Sequence, residues 1–453
     1  MDGIELIRTP ALGDNSYLLV SGNEAAVVDP QRDAWSLVGA CAARVLSVRY
    51  VIETHVHNDY LTGAAEWHAA TGATIAGPAR AEYAFPYHAM AEGDEITVGN
   101  VTVRAMETPG HTPEHTSYLV FEGRAEEPTA VFTGGSLMVG GAGRTDLFGP
   151  ERAGELTRAQ FHSLRRLRDL GAQTQVLPTH GAGSFCAAPA SGGLTSTLAL
   201  ERATNPALAL LSDEDEFLRA RLQDLPRFPA YYRFMAPINR AGPRVLADLP
   251  EPAPLTPDDV ELAVDSGAWV LDGRDRWSFA EAHLPGALNV ELDDSFSSYV
   301  GSVIPFGTRL VLVLPEPARD AGVDAVTHLV RIGYDSLTGF LEGGVQAWRE
   351  SGRPLDSYPA RDVAALPVGD PAAQVLDVRQ PVEVADRSIP GSRHIFLGDL
   401  PQRTGELPRD RVLWVVCASG RRAAVGASLL RRAGFRVVVV ARGGVPSWAA
   451  AAA

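Results

Sequence analysis

Glu53-Thr-His-Val-His-Asn-Asp-Tyr-Leu-Thr-Gly63 gathers three strong metal donors, His55, His57 and Asp59, within five residues. In an extended segment, residues two apart point the same way. His55 and His57 can therefore aim both imidazoles at one ion, with Asp59 where the chain turns. The largely apolar run before them, Val45-Leu-Ser-Val-Arg-Tyr-Val-Ile52, reads as a short buried strand. Leu61 to Ala70 has helical composition. A strand that ends in His-x-His-x-Asp and opens a helix predicts a metal loop, because neutral imidazole is the commonest metal ligand.

Outward from this loop, residues 1–235 alternate short apolar strands with turns and helices. Tyr17–Val20 and Ala25–Asp29 read as a hairpin around Ser21-Gly-Asn-Glu, and Trp35–Ala43 as a helix. Val101–Met106, Ser117–Phe121, Ala130–Thr133 and Gln175–Leu177 are predicted strands, and Leu156–Leu170 a helix. Two of these strands run into histidines with glycine beside them, in Thr108-Pro-Gly-His-Thr112 and Pro178-Thr-His180-Gly. Taken alone, His111 or His180 reads as a structural histidine. Together with the His55 loop they predict donors converging at one sheet edge.

The chain has 453 residues, enough for two to four domains. All 40 basic residues are arginine; with no lysine, Schiff-base chemistry and a P-loop lysine are excluded. A net charge of -15 argues against nucleic acid as a partner. Cys41, Cys186 and Cys417 are too few and too scattered for a disulfide framework, so a reducing cytoplasm is expected. The N-terminus carries no signal-like apolar stretch, and no run approaches the ~18 apolar residues of a membrane helix.

The layout of the first half resembles the metallo-β-lactamase fold, an αββα sandwich with metals at the sheet edge. Within that superfamily, Thr54-His-Val-His57, Thr108-Pro-Gly-His-Thr112, Gly143-Arg-Thr-Asp146 and Pro178-Thr-His180 are most similar to the persulfide dioxygenase branch. The resemblance implies one Fe(II), with Zn(II) as the alternative, and a substrate persulfide oxidised by dioxygen. It places His55 and His111 on the iron, and Arg144 on the substrate side. His57, Asp59 and His180 match metal positions of the hydrolytic cousins. Two positions depart from the pattern: Tyr60 stands where the motif ends in histidine, and Thr133-Gly-Gly135-Ser replaces Thr-Gly-Asp. The usual two-histidine, one-carboxylate triad is therefore incomplete. Asp59 supplies the carboxylate, or His55, His57 and His111 form a three-histidine site, or the ion is held weakly. A mononuclear site is expected. Cys186, six residues beyond His180, reads as a small buried residue or as a sulfur carrier at the same cavity.

Residues 236–256 are proline-rich and polar and read as a linker. Beyond them the chain repeats itself. Leu271-Asp-Gly-Arg274 with His283-Leu-Pro-Gly286 echoes Leu376-Asp-Val-Arg379 with Ser388-Ile-Pro-Gly391, and Gly343-Gly-Val-Gln-Ala-Trp348 echoes Gly443-Gly-Val-Pro-Ser-Trp448. Each copy has a strand followed by a helix, which predicts two small α/β domains with parallel sheets, 257–355 and 362–453. The motifs resemble the rhodanese domain, a sulfurtransferase module. Cys417-Ala-Ser-Gly-Arg-Arg422 matches its Cys-x-x-Gly-x-Arg loop. Backbone N–H groups at a helix N-terminus, with Arg421 and Arg422, would cradle an anion and favour thiolate, the nucleophile. The first copy, aligned through Arg309 and Arg411, reads Pro315-Glu-Pro-Ala-Arg-Asp320, with proline where the cysteine belongs, so it is expected to be inactive.

Three functions follow. The first is oxidation of a low-molecular-weight, glutathione-like persulfide to sulfite, coupled to sulfane-sulfur transfer through Cys417, with dioxygen and sulfite or thiosulfate as further small-molecule partners. The second is a metal-dependent thioester or amide hydrolase, and the third a persulfide carrier without a metal. Neither a membrane nor a nucleic acid is expected as partner; a homodimer is compatible with the sequence.

Overall fold

The computed structural model describes residues 3–188 and 193–452. The chain divides into two compact units, Met1–Leu225 with Tyr232–Leu249, and Pro226–Tyr231 with Pro250–Ala453.

In the first unit, period-two alternation sorts side chains onto two faces. Along Asp14–Ser21 and Glu24–Val28, which pair antiparallel, Tyr17, Leu19, Ala26 and Val28 enter one core, while Leu18, Val20, Ala25 and Val27 enter another. The second of these cores lies under the helices Trp35–Ala43 and Ala64–Thr71. The six-stranded sheet runs Gly3–Thr9, Asp14–Ser21, Glu24–Val28, Ser47–Ile52, Thr74–Pro78, His88–Met90. A second six-stranded sheet runs Ser196–Thr197, Gln175–Pro178, Ala130–Gly134, Thr116–Glu122, Val101–Glu107, Glu95–Val98. Val103, Tyr118, Val120, Phe132 and Leu177 face the first sheet in the shared core. Met106, Leu119 and Val131 point outward to Phe161, Leu164 and Leu167 of the helix Pro150–Arg168. Helix, sheet, sheet and helix stack as the αββα sandwich.

Three of the differences from the expected boundaries have a clear physical reason. The helix after the metal loop spans Ala64–Thr71, because Thr62 and Gly63 are still occupied in the loop, where Thr62 accepts from the Ala64 N–H at 3.0 Å. The later helix begins at Pro150, a residue suited to a first helical turn. The stretch 236–256 is not uniformly a linker: its start belongs to the helix Tyr232–Ala241, whose Asn239 Nδ2 donates to the carbonyls of His57 (2.9 Å) and Tyr60 (2.8 Å).

The second unit holds two five-stranded, all-parallel sheets with one shared order. In the first copy the order is Pro254–Leu255, Leu337–Leu341, Leu310–Val313, Trp269–Asp272, Leu288–Asn289. In the second it is Ala360–Asp362, Val437–Arg442, Val412–Val416, Ala373–Asp377, Arg393–His394. Each copy closes the strand next to its central one, Trp269–Asp272 or Ala373–Asp377, with a carboxylate–guanidinium fork, Asp272 with Arg274 and Asp377 with Arg379. The register corrects the alignment of the repeats by one residue. Asp272 pairs with Val313 and Asp377 with Val416, so Leu314, not Pro315, stands where Cys417 does.

Candidate metal centre and thiol loop

Four strand ends build the buried centre of the first unit. Ser47–Ile52 delivers His55, His57 and Asp59; Val101–Glu107 delivers His111; Gln175–Pro178 delivers His180; and Asp14 opens its own strand with a bridge to His180. All five predicted donors are buried, at 0–1% exposure. His55 Nε2 lies 3.2 Å from His180 Nε2, and the His111 ring centroid is 5.0 Å from that of His55 and 5.3 Å from that of His180. Donor atoms of His55, His57 and His180 lie within 4.8 Å of one another.

The outer nitrogen of each imidazole is already committed. His55 Nδ1 meets Thr54 Oγ1 at 2.8 Å, and that hydroxyl donates to Asp29. His111 Nδ1 donates to the Arg144 carbonyl at 2.7 Å. His57 Nε2 faces Asp29 (3.3 Å), Glu53 (3.2 Å) and the Tyr60 hydroxyl (3.1 Å). His180 Nδ1 faces Asp14 (2.8 Å) and Asp59 (3.2 Å). The inner nitrogens His57 Nδ1 and His111 Nε2 are buried with no hydrogen-bond partner. Outer partners that fix the tautomer and aim the other lone pair inward are the usual support of metal-bound histidine. Two nitrogens on one ion at about 2.0–2.1 Å each stand roughly 3.0–3.4 Å apart, as His55 and His180 do. The residues present fit a bound divalent cation.

The electrostatics separate these imidazoles into two kinds. Burial and neighbouring histidines hold His55 well below the usual range, and burial first, then His180, brings His111 down to about 3. Both are neutral donors. Burial alone would lower His57 and His180 too, but Asp29 and Glu53 hold His57 well above its ordinary value, and Asp59 and Asp14 push His180 up to about 10. A cation arriving here takes the place of positive charge that the carboxylates already favour.

Gly135 and Tyr60, the two departures in the sequence, have physical counterparts. A Cβ on Gly135 would come 2.1 Å from His111 Cδ2, so the imidazole occupies room that a carboxylate side chain would need. Tyr60 stacks on His57 at 4.3 Å and its hydroxyl donates to the Asp29 carbonyl at 3.1 Å. It braces the ring as a hydrogen-bond partner. Arg144 is buried with its guanidinium forked onto Asp146 (2.6 and 2.7 Å), and its contact with the centre runs through its carbonyl to His111. Sequence reasoning missed Asp14, Asp29 and Glu53. Only the position of Asp29 at the end of an apolar strand hinted at a role.

In the second unit, Cys417 follows the strand Val412–Val416 and precedes the helix Arg421–Arg432. The Gly420 N–H donates to Cys417 Sγ at 3.1 Å. Gly420 has φ +102°, and a Cβ there would lie 2.4 Å from the Ala441 carbonyl oxygen, so the turn that wraps the sulfur needs glycine. Arg422 forks onto Glu383, which stands below the usual carboxylate range: burial opposes the shift, and Arg422 outweighs it. Arg421 Nε lies 3.1 Å from Asp293 of the first copy. Both arginines flanking the thiol therefore carry a carboxylate partner.

Comparison with known proteins agrees with this architecture. The metallo-beta-lactamase superfamily matches residues 9–180, and the rhodanese-like domain matches residues 256–351 and 360–451. A hydroxyacylglutathione hydrolase of Methylobacillus flagellatus is 31% identical over 230 residues, covering 50% of this chain and 82% of that protein. One from Cereibacter sphaeroides is 34% identical over 182 residues, covering 39% of this chain; the match spans 66% of that protein's length. A solved metallo-beta-lactamase of Staphylococcus aureus is 27% identical with a TM-score of 0.67, covering 75% of this chain and 98% of its own. The chain belongs to the metallo-beta-lactamase superfamily and carries two rhodanese-like domains after the metallo-beta-lactamase domain. No helix among the described residues is long and apolar enough to cross a membrane.

Proposed function

We propose that the protein oxidises a low-molecular-weight persulfide to sulfite at a single iron and moves sulfane sulfur through Cys417. The observation that carries this reading is the presence in one chain of a buried imidazole centre and a cysteine loop of rhodanese type. His55 and His111 would hold the ion together with His180 or His57, and Fe(II) there would supply dioxygen activation. Tyr60 fills the place of a histidine ligand, which favours one ion over the two that hydrolytic relatives of the fold use. The chemistry balances as RSSH + O2 + H2O giving RSH + SO3²⁻ + 2H⁺. At Cys417 the thiolate attacks the outer sulfur of a persulfide anion, releasing RS⁻ and leaving Cys417-S-S⁻. Sulfite then accepts that sulfur as thiosulfate and regenerates the thiolate. Each centre's product can serve the other.

The hydrolase relatives favour a second reading, hydrolysis of a glutathione thioester. Both readings take a glutathione-like thiol compound, and metal content with dioxygen uptake separates them. Protein purified without air should carry about one iron per chain and consume dioxygen on glutathione persulfide. Zinc with thioester cleavage and no uptake would install the hydrolase instead. Absence of metal and of both activities would leave sulfur transfer at Cys417 as the function.

A further inference from the structure

We propose that Cys186 is a ligand of the metal ion, supplying the anionic donor that Gly135 no longer provides. The inference rests on the preceding reading that an ion occupies the histidine centre. A sulfur, an imidazole and a second imidazole meet here: donor atoms of His111, His180 and Cys186 all lie within 4.8 Å of one another. His180 belongs to this group and also to the group it forms with His55 and His57. An ion held by His111 and His180 is therefore within reach of the sulfur. His111 Nε2, buried and without a hydrogen-bond partner, is a free donor in the sulfur's own group.

The sulfur is fixed in place by its backbone. The Cys186 carbonyl accepts from the Arg144 N–H at 2.9 Å, and the Cys186 N–H donates to Ser184 Oγ at 3.2 Å. Arg144 is the residue whose carbonyl orients His111, so one short segment sets both donors. Cys186 is fully buried. A carboxylate at position 135 is excluded while His111 keeps its place, since even a Cβ would meet the ring. A thiolate carries the same unit charge as the missing carboxylate. On ligation the ion replaces the thiol proton, which leaves to solvent, so Cys-SH + M²⁺ gives Cys-S⁻–M²⁺ + H⁺. Two imidazoles and a thiolate also form a softer set than two imidazoles and a carboxylate, and soft sulfur donors suit iron and zinc over magnesium or calcium.

Cobalt(II) substitution of the full-length protein under anaerobic conditions tests this, because cobalt–thiolate bonds absorb intensely in the near ultraviolet and imidazole or carboxylate bonds do not. The unaltered protein and Cys417→Ser should both show the band. Cys186→Ser should lose it and bind cobalt at least about tenfold more weakly, and Cys186→Asp should recover affinity without the band. Because Cys186 and Cys417 lie in different compact units, a thermal melt and the near-ultraviolet circular dichroism of each Cys186 variant report in the same samples that the first unit is folded. Equal bands in unaltered protein and Cys186→Ser overturn the ligand assignment while leaving the metal centre standing. Failure of the unaltered protein to bind cobalt, iron or zinc overturns the metal centre itself, and this proposal with it.

Discussion

The two rhodanese-like copies have the same strand order, the same Asp–Arg fork and loops of equal length, yet only one loop wraps a sulfur. Leu314-Pro-Glu-Pro-Ala318 spans the same interval as Cys417-Ala-Ser-Gly-Arg421, from the end of the central strand to the first helical residue. Leu314 is a buried apolar side chain; Cys417 is equally buried but receives an N–H. Pro317 replaces Gly420, and proline has no access to the left-handed turn that brings the Gly420 N–H onto the sulfur. The later glycine pair diverges in the same sense. A Cβ on Gly444 would strike the Cys417 carbonyl at 2.2 Å, whereas one on Gly344 would meet open space. The scaffold is common to both copies; the anion cradle is a set of close backbone approaches made in one. The first copy nevertheless touches the second at its thiol loop, where Asp293 lies 3.1 Å from Arg421.

The hardest blow to this contrast is Cys417→Ser, which should abolish sulfur transfer from thiosulfate to cyanide while leaving iron content unchanged. Adding Leu314→Cys to that variant should restore none, since the first loop lacks the cradle; recovered transfer would show that the scaffold alone suffices. Gly420→Ala comes next. Its Cβ must push the Ala441 strand away and its φ is unfavourable, so the Gly420 N–H moves off the sulfur. Misplacement of this order costs roughly 10²-fold in rate. Steady-state transfer kinetics beside a thermal melt would separate lost geometry from lost folding, and an unchanged rate would refute the cradle.

Much of this was legible in residue patterns because the signals are local. Alternating His55, His57 and Asp59, and the repeated Asp-x-Arg and Gly-Gly-x-x-x-Trp motifs, each encode a single strand end or turn. The αββα sandwich and the parallel sheets follow from such units. What stayed hidden depends on approach through space. Asp14 and Asp29 support histidines 166 and 28 positions away. Gly135 reads as a missing ligand in the sequence, but that His111 fills its room is a matter of approach through space. Matching Arg309 to Arg411 by residue type sets the repeats one position out of step, whereas the hydrogen-bonded register fixes the true equivalence.

The smallest expected effect concerns the contact from the first copy to the second. Arg421 is about half exposed and paired to Asp293 at 3.1 Å, with Glu291 at 4.0 Å already held by Arg276. An exposed pair of this kind adds less than about 1 kcal/mol to stability. Its electrostatic consequence is of similar size: a unit charge about 4 Å away in water is worth about 1 kcal/mol, or roughly fivefold in affinity. Asp293→Asn should therefore leave the melting temperature nearly unchanged and release Arg421 to an anionic substrate. The KM for thiosulfate should fall a few-fold with kcat unaltered, and the gain should fade as salt is raised. Arg421→Ala should shift KM the opposite way. If Asp293→Asn instead raised KM, the acid would be holding Arg421 in its productive position, and the first copy would be a positioning partner of the sulfur site where a simple brake is expected.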